Sequence, residues 1–295
     1  MGQPFIVKVG ILGLLVLLVS PAPGGAAEAK DDQKVQNWQV GFSPTYSSGN
    51  YGTASTTNIT YLPVTVRRLF DNGDITFTIP YICINGDGAV TVLSGVPNRV
   101  SKSGSSSSSS STSSGNQGKS KNKQPGNVEP TSSTDCGIGD LILRGRYYVV
   151  DEVGWVPTIA VTGRIKFPTA DSDRGLGTGR FDEGVGVEVS KKLIGNWLGF
   201  VDFGYTFIGD PPDVNLRNQW YYDLGVGYNL TRNLLISVYY EEYRALIEGL
   251  SNPRDLLFAL NYKATSALRF NASILAGLSD GAPDYALTGG MSWRF

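Results

Sequence analysis

The feature of this sequence that most constrains its fold is a strict alternation of apolar and polar residues over stretches of about ten residues. In the segment TIAVTGRIKF, Ile159, Val161 and Phe167 share one parity, whereas Arg164 and Lys166 share the other. The segments DLLFALNYK and LRFNASILAGL alternate in the same way. Because successive side chains of a β-strand point to opposite faces, each segment predicts a strand with one apolar and one polar face.

A soluble β-sandwich also alternates, so strand length and aromatic placement must separate it from a membrane barrel. A strand of about ten residues, rising about 3.3 Å per residue and tilted by about 45°, crosses a hydrocarbon core, whereas typical strands have about five or six. Aromatic residues lie at strand ends on the apolar parity, as in the aromatic girdles of outer-membrane barrels. These residues are Tyr262, Tyr285, Trp293 and Phe295.

The lengths of the connections favour the barrel as well. Tight connections such as DNG, IGN and TRN alternate with longer ones such as GDPPDVNLRN. Outer-membrane barrels combine short periplasmic turns with long extracellular loops in this way. We therefore predict an all-β transmembrane antiparallel up-and-down barrel of about 12 strands, with both termini on the periplasmic side. The strands are expected near 37–47, 54–70, 74–92, 137–151, 155–168, 181–193, 197–209, 219–230, 233–246, 254–264, 267–279 and 284–295.

The N-terminal segment predicts secretion. Lys8 precedes an apolar run from Val9 to Val19, and small residues follow that end in Ala27-Glu28-Ala29. This layout is typical of a cleaved signal peptide, here residues 1–29, with the barrel domain at 30–295. A short N-terminal anchor or a core helix is the alternative. We expect the outer membrane of a Gram-negative bacterium as the location.

Composition excludes several functional classes. Glycine makes up 37 of 295 residues, which disfavours a helical bundle because each interior glycine costs a helix about 1 kcal/mol. A net charge of −1 gives no reason to expect a nucleic-acid partner. The sequence has no histidine, the usual general base or water activator of barrel enzymes, so we predict no enzymatic activity and no catalytic residue.

Motifs for cofactors or metals are incomplete. The segment GLGTG leads into a strand rather than a helix, which argues against a dinucleotide site. Asp171 and Asp173 resemble the start of a calcium loop, but no bidentate glutamate follows at the required spacing. We expect no cofactor and no metal.

A Ser-rich segment at about 95–135 predicts a disordered extracellular loop, because it has almost no apolar residue to bury. Cys83 and Cys136 flank it, and an oxidising compartment would allow them to form a disulfide. Strict alternation places Cys83 on the lipid-facing parity and Cys136 on the lumen parity, unless a bulge near NGDG changes the register. The sequence leaves a disulfide and two buried thiols as alternatives.

We assign the parity that carries these charged residues to the lumen, because a basic residue that faces lipid at the membrane midplane would cost about 2–4 kcal/mol. The candidate pore-lining residues are Arg144, Arg146, Arg164, Lys166, Glu188, Asp202, Asp223, Glu241 and Asp255. One interpretation is a salt-bridge network that fills a narrow barrel. The other is a field across a water-filled pore that orients dipolar solutes.

Several segments resemble the meta-pathway phenol-degradation transporter family. They are the FPT strand end, the GLGTG loop, the GYTFIGDPP hairpin and the GIGDLIL strand start, within a resemblance over roughly residues 54–295. The long serine tract departs from the family. The resemblance implies an outer-membrane β-barrel that carries small, often aromatic, compounds. Trp293 and Phe295 resemble the C-terminal signature that the assembly machinery of such barrels reads.

Two functional hypotheses follow. The first is an outer-membrane channel for small solutes, aromatic or hydrophobic compounds among them. The second is a structural or binding barrel whose lumen is plugged by side chains or by the N-terminal segment KDDQKVQ. The expected partners are outer-membrane lipid, the barrel-assembly machinery and a small-molecule solute.

Overall fold

The computed structural model describes residues 37–86, 88–101, 133–211 and 214–295, and the described residues form β-strands joined by turns and loops. No helix in these ranges is long and apolar enough to cross a membrane. The strands are β1 (Trp38–Phe42), β2 (Thr45–Gly49), β3 (Thr57–Phe70), β4 (Gly73–Gly86), β5 (Val90–Leu93), β6 (Val96–Arg99), β7 (Ser133–Ile138), β8 (Leu141–Val150), β9 (Thr158–Phe167), β10 (Asp182–Lys192), β11 (Trp197–Ile208), β12 (Gln219–Asn229), β13 (Leu234–Tyr243), β14 (Arg254–Lys263), β15 (Leu268–Gly277) and β16 (Tyr285–Arg294).

Fourteen of these strands close into an antiparallel barrel with twelve strand positions in its wall. We call each position, which holds either one strand or two short consecutive strands, a stave. β1 and β2 form one stave, interrupted near Pro44, because both pair with β3 and with β16. β7 and β8 likewise share a stave and both pair with β4. The pairing of β1 with β16 closes the ring, while β7 pairs only with β4 among the described strands. The predicted twelve-stranded up-and-down barrel is confirmed.

The two faces of the wall separate by polarity as alternation predicts. Large apolar side chains are exposed on the outside, where lipid replaces water as the solvent. The predicted girdle residues Tyr262, Tyr285, Trp293 and Phe295 are 46%, 43%, 63% and 57% exposed. Charged side chains lie on the inner face and are mostly buried. The charged side chains, which are the candidate functional residues, therefore lie in the lumen, whereas the outer face contacts lipid.

A bulge within the stave of β7 and β8 resolves the conflict over the cysteines. Tyr81 pairs with Ile138 and Thr78 pairs with Ile142, so two residues of β4 face three residues of the neighbouring stave. The extra residue reverses the parity between β7 and β8. Cys83 and Cys136 consequently lie opposite each other and are joined by a disulfide. The bulge lies at 139–141, not near NGDG as the sequence suggested.

Connections of two lengths divide the barrel into a short-turn end, which carries the chain termini of the described barrel, and a long-loop end. Two predicted segments have wrong bounds. The third stave ends at Gly86 rather than at residue 92. Residues 96–99 and 133–135 belong to strands, although they fall within the predicted disordered loop at 95–135. Most of that loop, 102–132, lies outside the described residues, as does the predicted signal peptide 1–29.

We predict that a protease added to intact cells cuts first within residues 101–134. The tract is polar and connects two staves at the long-loop end, which we place outside the cell. The measurement is fragment mapping on intact and lysed cells. A protease site inserted at Thr231-Arg232, in a short turn, should be cut only after lysis. The reverse pattern would show that the barrel has the opposite orientation.

We predict that deleting Phe295, or Phe295→Asp, impairs assembly more than Arg294→Ser. The Phe295 ring faces outward, its backbone N–H donates to the Trp38 carbonyl oxygen at 2.8 Å, and its carbonyl oxygen accepts from Trp38 N–H at 3.0 Å. Arg294 has lumen parity and adds no outward ring. The measurement is the amount of heat-modifiable barrel in outer-membrane fractions. Equal amounts for both variants would contradict an assembly role for Phe295.

Candidate functional site in the barrel lumen

A β-hairpin folds into the lumen from the long-loop end. It consists of β5 and β6, and we call it the lumen hairpin. Its turn at Ser94-Gly95 has φ values of 51° and 89°. Two consecutive positive φ angles are typical of the tight type I′ hairpin turn, and glycine adopts this conformation without strain.

The lumen hairpin crosses from one side of the barrel to the other. Near its base, Val90 and Val92 pack in an apolar cluster with Tyr51 and with side chains of β3 and β4. Near its tip, Leu93 packs against Ile208, Leu216, Leu246 and Ile247, on the side of β11 and β13. Burial raises the pKa of the Tyr51 hydroxyl well above its usual range. These contacts make the hairpin part of the packed interior.

Hydrogen bonds hold the lumen hairpin at three points. Thr91 Oγ1 donates to the Gly175 carbonyl oxygen at 2.7 Å, and Gln219 Nε2 donates to Asn98 Oδ1 at 3.0 Å. Arg99 Nη1 donates to the Gly52 carbonyl oxygen at 2.6 Å. The first and last acceptors belong to long loops, whereas Gln219 belongs to the wall. The hairpin therefore reduces the cross-section of the lumen at this level.

Five carboxylates form one continuous row across the inner wall. They are direct cross-strand neighbours on β10 to β14, and we call them the acidic row: Glu188, Asp202, Asp223, Glu241 and Asp255. All five were predicted to face the lumen, and their exposed fractions are 1–6%. Like charges directly opposite each other destabilise a sheet, so this arrangement opposes folding unless positive charge compensates it.

Arginines compensate one end of the acidic row. Arg144 forms an ion pair with Glu188, and Arg146 Nε lies 2.7 Å from Glu188 Oε2. Arg146 also lies 3.6 Å from Asp74, which in turn pairs with Arg67 at 2.6 Å. This network supports the salt-bridge interpretation for this side of the barrel. Arg164 lies beside it and donates from Nη2 to Thr206 Oγ1 at 2.8 Å.

Lys166 has different surroundings from the other predicted pore-lining residues. Its side chain is fully buried, and its Nζ lies 2.9 Å from both Asp140 and Asp182. The ammonium group also donates to Thr178 Oγ1 at 2.7 Å. Two carboxylates and a hydroxyl thus enclose the charge, so the Lys166 side chain does not face open solvent. It connects the wall to the long loop that contains Thr178.

A cavity of about 100 Å³ lies between the lumen hairpin and the wall. Its apolar lining includes Ile59, Tyr61, Val92 and Leu257. Asp223, Glu241 and Asp255 of the acidic row line another part of it. A cavity needs only about 10–15 Å³ to hold one water, so this space is large enough for several waters or a small organic molecule.

Sequence reasoning missed the lumen hairpin and several charged partners. The hairpin has a local signal, since AVTVLSGVPNRV places a Ser-Gly pair between two β-rich segments. Arg67 and Asp74 share the lumen parity of their strands and could have been found from alternation. Asp140 and Asp182 stand at the ends of strands, where parity alone does not show which charge they meet.

Comparisons with known proteins agree with this architecture. The model of the family described as "Putative MetA-pathway of phenol degradation" matches residues 86–295. No curated protein sequence matches the chain. An outer membrane channel from Pseudomonas putida F1 has 13% sequence identity and a TM-score of 0.54, with 92% of this chain and 100% of that chain covered.

Two further solved structures are less similar. The NanC porin has 11% identity and a TM-score of 0.49, with 87% and 100% of the two chains covered. The toluene transporter TodX of P. putida has 9% identity and a TM-score of 0.44, with 90% and 91% covered. Identities this low show a shared fold at most, and a TM-score below 0.5 carries no argument about this chain.

Proposed function

Because this chain belongs to the MetA-pathway phenol-degradation family, we propose that it is an outer-membrane channel for small solutes, in particular aromatic or hydrophobic compounds. The observation that carries the proposal is the cavity beneath the lumen hairpin, with its largely apolar lining. Apolar walls with a few placed polar groups are typical of sites for small organic molecules. The tyrosine rings of the lining provide flat surfaces for an aromatic solute.

Transport requires a path past the lumen hairpin. The hairpin lies in the lumen as a two-stranded sheet that does not pair with the barrel strands, and hydrogen bonds and apolar contacts hold it in place. A small solute moves along the apolar surface between hairpin and wall, whereas hydrated ions meet a narrow and partly apolar passage. The parent protein should therefore have low ion conductance and still admit small apolar molecules.

The second candidate is a structural or binding barrel without transport. The lumen hairpin favours it, because it fills part of the cross-section. The other proposed plug, KDDQKVQ at 30–36, lies outside the described residues. Uptake separates the candidates. A Gram-negative host that lacks its general porins should take up a labelled aromatic compound faster when it produces this protein. Unchanged uptake, with normal amounts of folded barrel, would favour the barrel without transport.

The proposed location completes this function. We expect residues 1–29 to direct export and to be removed, after which the assembly machinery inserts the barrel into outer-membrane lipid. Mass spectrometry of the mature N-terminus in the outer-membrane fraction tests the cleavage. A mature chain that still contains residues 1–29 would contradict it.

The charged walls predict opposite changes in ion selectivity. Arg144→Gln with Arg164→Gln should make the channel more selective for cations, because Glu188 loses a partner and two positive charges disappear. The reversal potential in a salt gradient measures this change. Asp202→Asn with Asp223→Asn should make the channel more selective for anions. Both shifts should shrink in about 1 M salt, where the screening length is about 3 Å. If the parent conducts and neither pair changes its selectivity, these residues do not line the ion path.

A further inference from the structure

Four members of the acidic row lack an ion pair within the described part of the chain: Asp202, Asp223, Glu241 and Asp255. Their exposed fractions are 1–3%, and each has a buried oxygen without a hydrogen-bond partner there. Taking an ion out of water costs several kcal/mol, so four adjacent carboxylates require compensation. Glu241 and Asp255 are in hydrogen-bonding contact with each other.

The cavity beneath the lumen hairpin brings these carboxylates to a ligand-sized space. Asp223, Glu241 and Asp255 line it, and none of the described lining residues is lysine or arginine. Tyr61, Tyr239 and Tyr243 line the same cavity, and their exposed fractions are 1–5%. The space therefore combines carboxyl groups that form no ion pair in the described part of the chain with aromatic faces, and both attract cations.

Two further polar atoms point to a missing hydrogen-bond donor. Tyr243 and Asn261 line the cavity, and the Tyr243 hydroxyl and Asn261 Oδ1 are buried without a hydrogen-bond partner among the described residues. An amide oxygen accepts only, and a tyrosine hydroxyl can accept. Together with the carboxylate oxygens, the Asn261 oxygen forms a set of acceptors, and the Tyr243 hydroxyl can accept or donate. A ligand that carries N–H groups would satisfy them.

The spacing of the acids argues for an organic cation over a metal ion. In the described ranges, no group of three or more acidic or cysteine side chains is arranged to hold a metal. Neighbouring members of the row stand on successive strands, about 5 Å apart at Cβ, so the charge is spread along the wall. In an organic ammonium ion, the ammonium group can lie against the row of carboxyl groups while the apolar body contacts the aromatic and aliphatic side chains of the lining.

The geometry points to a binding site for amphipathic organic ammonium ions in this cavity, formed by Asp223, Glu241 and Asp255 with the tyrosine faces. This inference rests on the proposed function and narrows its solute class to compounds that join an aromatic or aliphatic body to a protonated amine. The carboxylates bind the ammonium group, while Tyr61, Tyr239 and Leu257 contact the apolar body. Solute charge thereby compensates the acidic row.

Calorimetric titration of the full-length refolded protein in detergent tests this site with a matched pair of probes, benzylammonium and neutral benzyl alcohol. Benzylammonium should bind at least about tenfold more tightly, since charge pairing and cation–π attraction act only on the cation. Glu241→Gln with Asp255→Asn should remove most of that difference. Glu248→Gln with Asp284→Asn, exposed carboxylates at the long-loop end, should leave it unchanged.

Each other outcome overturns either the binding site or the channel. Equal affinity of the unmodified protein for both probes would show that the cavity does not distinguish a cation from a neutral molecule. This comparison does not depend on the folding of any variant. Preference for calcium or magnesium over benzylammonium would assign the row to a metal. Uptake of neutral aromatic compounds without ammonium binding would sustain the channel and reject the site. Ammonium binding without uptake of any solute would reject the channel and leave a binding barrel.

Discussion

Removing the lumen hairpin should raise single-channel conductance severalfold. Residues 87–132 are replaced by Asn-Gly, a two-residue turn that suits the pairing of Gly86 with Ser133. The wall keeps its register, because β4 and β7 stay paired up to this point and the disulfide between Cys83 and Cys136 remains. Water then replaces the apolar contacts that Val92 and Leu93 make across the lumen. Planar-bilayer recordings measure the change.

The matched control keeps the lumen hairpin and shortens only the Ser-rich segment. Residues 102–132 are replaced by a short Gly-Ser linker, which leaves β5, β6 and their hydrogen bonds in place. This variant should conduct like the parent. Similar conductance for both deletions and the parent would show that another part of the lumen limits the passage. A rise in both would assign the restriction to 102–132.

Lys166→Met should lower the free energy of unfolding by about 3–5 kcal/mol, since breaking a buried ion pair leaves uncompensated charge. The ammonium group is fully buried between Asp140 and Asp182, and methionine fills similar volume without the charge. Both carboxylates would then face each other without a cation. Urea unfolding of the refolded barrel in detergent measures the difference.

Arg174→Met is the exposed counterpart. Arg174 pairs with Asp135 at 3.2 Å, with side chains 47% and 31% exposed, and such a surface pair contributes about 0–1 kcal/mol. Combining Lys166→Met with Asp140→Asn and Asp182→Asn should recover much of the loss, because no member of this buried ion-pair cluster then carries a charge. Equal destabilisation by Lys166→Met and Arg174→Met, or no recovery in the triple variant, would show that the buried ion pairs do not stabilise the wall.

Much of the wall could be predicted from sequence because a barrel strand obeys a local rule. Lipid on one side and lumen on the other impose a period of two, so the parity of Glu188, Asp202 or Asp223 reveals its face. The rule fails where a single residue is inserted. The bulge at 139–141 reversed the parity of Cys136, and only the pairing with β4 located it. Pairing register is a contact between distant segments, and alternation within one segment does not encode it.

The sequence by itself determined the class of fold, the strand number and the inward direction of the charged side chains, because each follows from the solvent that a strand face meets. Tertiary structure decided which charges meet. Arg146 pairs with Asp74 and Glu188, and Lys166 pairs with Asp140 and Asp182. The register of neighbouring strands sets these pairs, because Asp74 lies directly opposite Arg146 and Asp182 directly opposite Lys166. Tertiary structure also decided that Val90–Arg99 lies inside the barrel. Alternation within β5 and β6 does not specify which apolar surface the hairpin packs against, and the closed wall provides that surface within the lumen.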